Sequence, residues 1–177
     1  VGLMAQQAEE YGSHDFAVSR MLFIDEESVL QNEQLSFILT SNVLITFQDR
    51  YEDCLDAVRN RLEGGKGNIR IGGSSYLMYA LMDLIIDEYF SVLGFWSEEL
   101  DNIEDRLFEK PDRTIMFDTQ AIKRNLITLR RVSWPERDKM NDILRTESRF
   151  ITESTKVYLR DAYDHCIQTI DMVESLK

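Results

Sequence analysis

The sequence predicts an α+β chain, with strands in its first third and helices from there to the end. Two observations carry this. Apolar and polar residues alternate over 34–48, whereas from Ser74 onward apolar residues recur at three- and four-residue spacing. With two prolines and eight glycines in 177 residues, the later helices can run long without a breaker. Strands grouped first and helices grouped after them belong to the α+β class rather than to an alternating α/β one.

The elements follow in order. The opening "VGLMAQQAEEYGSHD" has neither a basic start nor an apolar run, so it reads as a tail and not as a signal peptide, with His14 incidental within it. Residues 16–24, "FAVSRMLFI", form a strand. "QLSFIL" and "VLITFQ" flank Thr40-Ser41-Asn42 as a β-hairpin, with Leu35, Phe37 and Leu39 on one buried face and Val43, Ile45 and Phe47 continuing it. "YEDCLDAVRNRLEGG" is a short helix whose Leu55, Val58 and Leu62 share a side and whose glycine pair stops it. "GGKGNIRIGG" lacks the G-x-x-x-x-G-K-[ST] order of a phosphate loop and reads as a loop around a short extended piece.

A long helix then runs from an N-cap at Ser74 or Ser75 to about Glu109. Its first half is apolar nearly all round, which calls for burial on several sides. Its second half keeps only the stripe Leu93, Trp96, Leu100, Ile103 and Leu107, which calls for one partner helix. Lys110-Pro111-Asp112 breaks the chain. A return helix from about Thr114 presents Ile115, Ile122, Leu126, Leu129 and Val132 on one face, completing a helical hairpin that Pro135 is expected to kink or interrupt. The last helix starts near Thr152 and is still helical at Lys177, with no capping glycine or proline.

Composition excludes several functions. Thirty-two acids against twenty bases give a formal charge of −12, which repels nucleic acid and attracts divalent cations. Cys54 and Cys166 belong to no C-x-x-C pair, so they fit a reducing compartment and carry no zinc signature. The most apolar stretch, "YLMYALMDLIIDEYFSVLGFW", is broken by Asp83, Asp87 and Glu88 and is no membrane span. The chain holds no H-E-x-x-H and no nucleophile elbow, and its paired acids sit at plain helix spacing, so no enzyme is expected.

Two acidic groupings call for a role. On the last helix Asp161 and His165 are four residues apart, and Val157, Asp161, Asp164, Gln168 and Asp171 form one polar stripe. Taken alone, such a stripe is a solvated face. On the long helix Asp83 and Asp87 are also four apart, within "LMYALMDLIIDEYF", where a lone buried carboxylate is expensive. They either point out of the core or pair with an arginine or lysine.

Four segments in order, "EQLSFILTSNVLITFQ", "SSYLMYALMDLIIDEYF", "IKRNLITLRRVSWPERD" and "TKVYLRDAYDHCIQTIDMVES", resemble the CorA family of magnesium and cobalt transporters, over roughly residues 16–177. The resemblance implies an α/β/α sandwich with a mixed β-sheet (1–73, shortened at its start), a helical hairpin (74–150) and the start of a stalk helix (151–177). It implies a homopentamer on the cytoplasmic side of the inner membrane, reached through a C-terminal segment that is absent here, along with the family's two membrane helices and Gly-Met-Asn motif. The acidic Leu-Glu-Asp stretch expected near the family's N-terminus has no counterpart in Val1–Asp15.

By the same resemblance, Mg2+ bound between neighbouring protomers holds the closed state of a gate. Asp161 matches a regulatory metal position and Asp83 a second one. His165 lies nearby, and Asp87 and Asp164 stand behind them as further candidates. Imidazole suits Co2+ or Zn2+ better than Mg2+, so His165 is an outer partner for Mg2+ and a direct ligand for softer ions. Two alternatives stay open: a zinc-transporting member of the family, and a metal-independent helical module whose acidic stripe binds a basic partner.

Overall fold

The computed structural model describes residues 7–51, 53–65, 67–109 and 112–176. The expected break at Lys110-Pro111 and the helix end at Lys177 lie outside them.

Four strands, β1 (Ala8–Tyr11), β2 (His14–Ile24), β3 (Leu30–Leu39) and β4 (Leu44–Gln48), form one sheet in that order. All three pairings are antiparallel, so among the described residues the sheet is not the mixed one expected. The reason is in the connections: each is a short turn, and a parallel neighbour would need a long crossover. The segment expected to be a tail supplies β1, and His14 opens β2 with its ring stacked on Tyr11 at 4.9 Å. At the β2–β3 turn, Asp25 accepts the backbone N–H groups of Glu27 and Val29, and Ser28 takes a positive φ of 61°.

The β3–β4 hairpin exists, but its two apolar triplets lie on opposite faces. Leu39 pairs with Leu44 and Phe37 with Thr46, so Leu35, Phe37 and Leu39 share their face with Leu44, Thr46 and Gln48. The four residues between the paired positions, tied by Thr40 to Val43, shift the alternation by one. Leu35, Phe37 and Leu39 are fully buried, paired with Ser19, Ala17 and Asp15 on β2, whereas Ile45 and Phe47 are 45% and 54% exposed.

The helices are α1 (Asp56–Gly64), α2 (Gly73–Glu109), α3 (Arg113–Arg145) and α4 (Glu153–Ser175), with a 3-10 turn at Gly67–Ile69 where an extended piece was expected. Gly65 ends α1 in the left-handed region, φ 61°, which glycine enters without strain. α2 spans about 55 Å at 1.5 Å per residue. Ser74 and Ser75 do not cap it. The Ser74 hydroxyl donates to the carbonyls of Thr40 and Ser41, tying α2 to the hairpin turn, and the Ser75 hydroxyl bonds Thr155 at 2.9 Å.

The two halves of α2 differ as the sequence predicts. Between Met78 and Leu93 the apolar side chains Met82, Ile85, Ile86, Tyr89 and Val92 are fully buried, and beyond Leu93 only Trp96 and Ile103 of α2 are buried, with Leu107 exposed. All five apolar positions foreseen on α3 are buried. Pro135 does not interrupt α3, which is helical through it. Asp112 caps α3 through the N–H groups of Thr114 and Ile115, and Thr152 caps α4 through that of Thr155.

A pair of opposite charges is sealed in the core. Lys139 and Glu136 on α3 form a fully buried ion pair, and Lys139 also donates to Ser19 of β2. Nearby, the buried Tyr89 donates its hydroxyl to the carbonyl of Arg20 at 2.6 Å.

Candidate metal centre

α2 and α4 run side by side in the same direction. The Ser75–Thr155 hydrogen bond sets their register, and Tyr76 and Tyr79 then meet Tyr158 with ring centroids 5.2 and 5.4 Å apart. One further turn along, Asp83 on α2 faces His165 on α4, with 3.9 Å between Oδ1 and Nδ1. Leu159, Ala162 and Cys166, all fully buried, form the inner side of α4, and the Cys166 thiol donates to the Ser133 carbonyl of α3. That inner packing turns His165 toward α2.

Asp87 joins this pair one turn below Asp83. One ligand atom from each of Asp83, Asp87 and His165 lies within 4.8 Å of the others. The group is not sealed: the Asp83 side chain is 24% exposed and that of His165 45%. Phe90 sets its ring edge-on to His165 at 6.4 Å, and the Tyr79 hydroxyl donates to Asp83 Oδ2 at 3.2 Å.

The electrostatics oppose two negative charges here. Burial raises the pKa of Asp83 and the neighbouring Asp87 carboxylate raises it further, while the Tyr79 hydrogen bond, His165 and Arg61 offset part of the rise. Burial also raises Asp87, against His165. Glu88 is raised by burial and then by Asp87. Asp83 and Glu88 are half-buried and Asp87 is exposed, and carboxylates crowded together in this way are relieved by a cation.

Of the residues singled out in the sequence, the structure brings together Asp83, Asp87 and His165. Asp161 and Asp164 lie on the exposed side of α4, in line with the exposed Val157, Gln168 and Asp171. The foreseen stripe is thus a surface, one turn from His165 and outside the three-residue group. Sequence reasoning missed Tyr79, although its spacing of four from Asp83, and of eight from Asp87, was a readable signal.

The donor set is two carboxylates and one imidazole, all from one chain and open to solvent. It fits a divalent cation. Mg2+ would take carboxylate oxygens at about 2.1 Å and keep several waters. Co2+ or Zn2+ would accept the imidazole as well. None of the described helices is long and apolar enough to cross a membrane.

Comparison with known proteins bears on what such a site serves. The family model of the CorA-like Mg2+ transporter protein matches residues 5–177. The chain is 36% identical over 172 residues to the cobalt/magnesium transport protein CorA of Thermotoga maritima, covering 97% of this chain and 49% of that protein. It is 27% identical over 167 residues to the putative metal ion transporter YfjQ of Bacillus subtilis, covering 94% of this chain and 51% of the relative. The chain therefore spans about half the length of the curated relatives it matches. The soluble domain of CorA from Methanocaldococcus jannaschii superimposes with a TM-score of 0.86 at 19% identity, covering 98% of this chain and 69% of that one, a likeness of fold. Matched over nearly its whole length by the family model and by a relative more than one-third identical, the chain belongs to the CorA-like Mg2+ transporter family.

Proposed function

We propose that this chain is the regulatory part of a CorA-type divalent-cation transporter, lying on the cytoplasmic side of the membrane and sensing Mg2+ by binding it between protomers of a homopentamer. The observation that carries this reading is the Asp83–Asp87–His165 group, with the exposed carboxylate of Asp161 one turn away on α4. Acids at a protomer boundary repel until a hard cation bridges them, so Mg2+ favours the assembled, closed arrangement by mass action. The role is one of binding and gating, without catalysis.

Membership of a family with cobalt- and magnesium-transporting relatives supports the choice of ion. A second reading, in which the ion is Co2+ or Zn2+, is favoured by the imidazole in the donor set.

Sedimentation velocity of the chain, with and without millimolar Mg2+, tests the proposal. Mg2+ is expected to shift the population toward larger species, and Asp161→Ala to weaken the shift. A distribution indifferent to Mg2+ but responsive to NaCl would overturn it in favour of a metal-independent acidic surface that binds basic partners.

A further inference from the structure

Tyr79 makes a hydrogen bond to a side chain of the three-residue group, and the site's chemistry leaves its role unassigned. Its hydroxyl donates to Oδ2 of Asp83, and the other oxygen, Oδ1, is the one that faces His165. A carboxylate turns about a soft torsion, so a free Asp83 would sample many orientations. A donor fixed on one oxygen stops that rotation and leaves the second oxygen directed at the group. The donor is itself fixed. Tyr79 is held edge-on by Tyr76 at 5.3 Å and against Tyr158 of α4 at 5.4 Å, and Asn68 donates to the Tyr158 hydroxyl at 3.3 Å. The cluster spans both helices that carry the group, so it registers the carboxylates of α2 against the imidazole of α4.

We propose that Tyr79 is a positioning residue for divalent-cation binding: its hydroxyl orients Asp83 so that Oδ1, a carboxylate oxygen of Asp87 and a nitrogen of His165 converge on one ion. This rests on the reading of Asp83, Asp87 and His165 as a cation site. A neutral phenol suits the task. It fixes the ligand without adding a charge that competes with the ion, and it satisfies the oxygen that the ion leaves free. Partners of this kind commonly change metal affinity by about 10- to 100-fold when removed.

Tyr79→Phe deletes the hydroxyl and keeps the ring within the tyrosine cluster. The experiment titrates Co2+ into the chain and into its Tyr79→Phe and Asp83→Asn variants. It follows binding by calorimetry and by the ligand-field absorption of bound Co2+, and it records the melting temperature of each protein without metal. The expected result is Co2+ binding by the parent chain, affinity lower by about tenfold or more in Tyr79→Phe with an altered absorption band, and loss of the band in Asp83→Asn. The metal-free melting temperature of Tyr79→Phe should stay close to the parent's. Equal affinity in the parent and Tyr79→Phe, with Asp83→Asn defective, would overturn the positioning role and leave the site standing. Weaker binding matched by a general fall in metal-free stability would overturn it too, as a loss of packing. Absence of binding by the parent chain would remove the site itself, and the inference with it.

Discussion

Asp83 is held in a place that disfavours its charge, and this gives it a measurable signature before any ion is added. Its carboxyl titrates above the ordinary range because it is half-buried and faces Asp87. The folded chain therefore binds this proton more tightly than the unfolded chain does. Stability falls as pH rises from the unfolded value through the folded one, and the penalty is complete above both. Asp83→Asn removes the penalty while keeping an oxygen for Tyr79. In chelator-treated protein the variant should melt higher than the parent at pH 7, with the difference shrinking as pH is lowered into the carboxylate range. Thermal unfolding between pH 4 and 7 checks this; a variant less stable at pH 7 would show that Asp83 is paid for by contacts within the chain. Helix spacing paired Asp83 with Asp87 and Asp161 with His165, and the family resemblance put Asp161 first and Asp83 second as metal positions. Whether Asp161 or Asp87 would complete the group was not legible, because that depends on how α4 is rotated against α2, which is set by Leu159, Ala162 and Cys166 packing inward.

At the level of elements, periodicity located the long helices and failed where chain geometry intervened. The apolar faces of α2 and α3 were readable because a 3.6-residue repeat survives over many turns. The β3–β4 turn shows the opposite case. Both strands alternate, but the register across residues 40–43 decides which triplet is buried, and a shift of one moves a whole set of side chains to the other face. β1 escaped notice because "AEEY" has no apolar alternation and is a strand only through pairing with β2. The same dependence on long-range contact governs the join between sheet and helices, where Lys139 and Glu136 of α3 meet Ser19 of β2 in the core. Burial lowers the pKa of Lys139, and the carboxylate of Glu136 is what sustains its charge. Lys139→Met takes the cation away from a buried carboxylate and should destabilise the chain by about 3–5 kcal/mol in denaturant unfolding. The double variant Lys139→Met/Glu136→Met is expected to recover much of that loss. A single variant as stable as the parent would mean that water reaches the pair.

For the whole molecule, the sheet and the α2–α3–α4 bundle bring Asp83, Asp87 and His165 together in a chain of net charge −12, and the proposed function stands on that group taking up a divalent ion. The most direct measurement is the melting temperature of the metal-free chain as Mg2+ or Co2+ is added, with Asp83→Asn as control. Ion at about 100 times its dissociation constant stabilises a folded protein by about 2.7 kcal/mol, which for a chain of this size is a rise of about 5–10 °C. The account predicts such a rise in the parent chain and a flat response in Asp83→Asn. A flat response of the parent to both ions, or an equal rise in the variant, would contradict it.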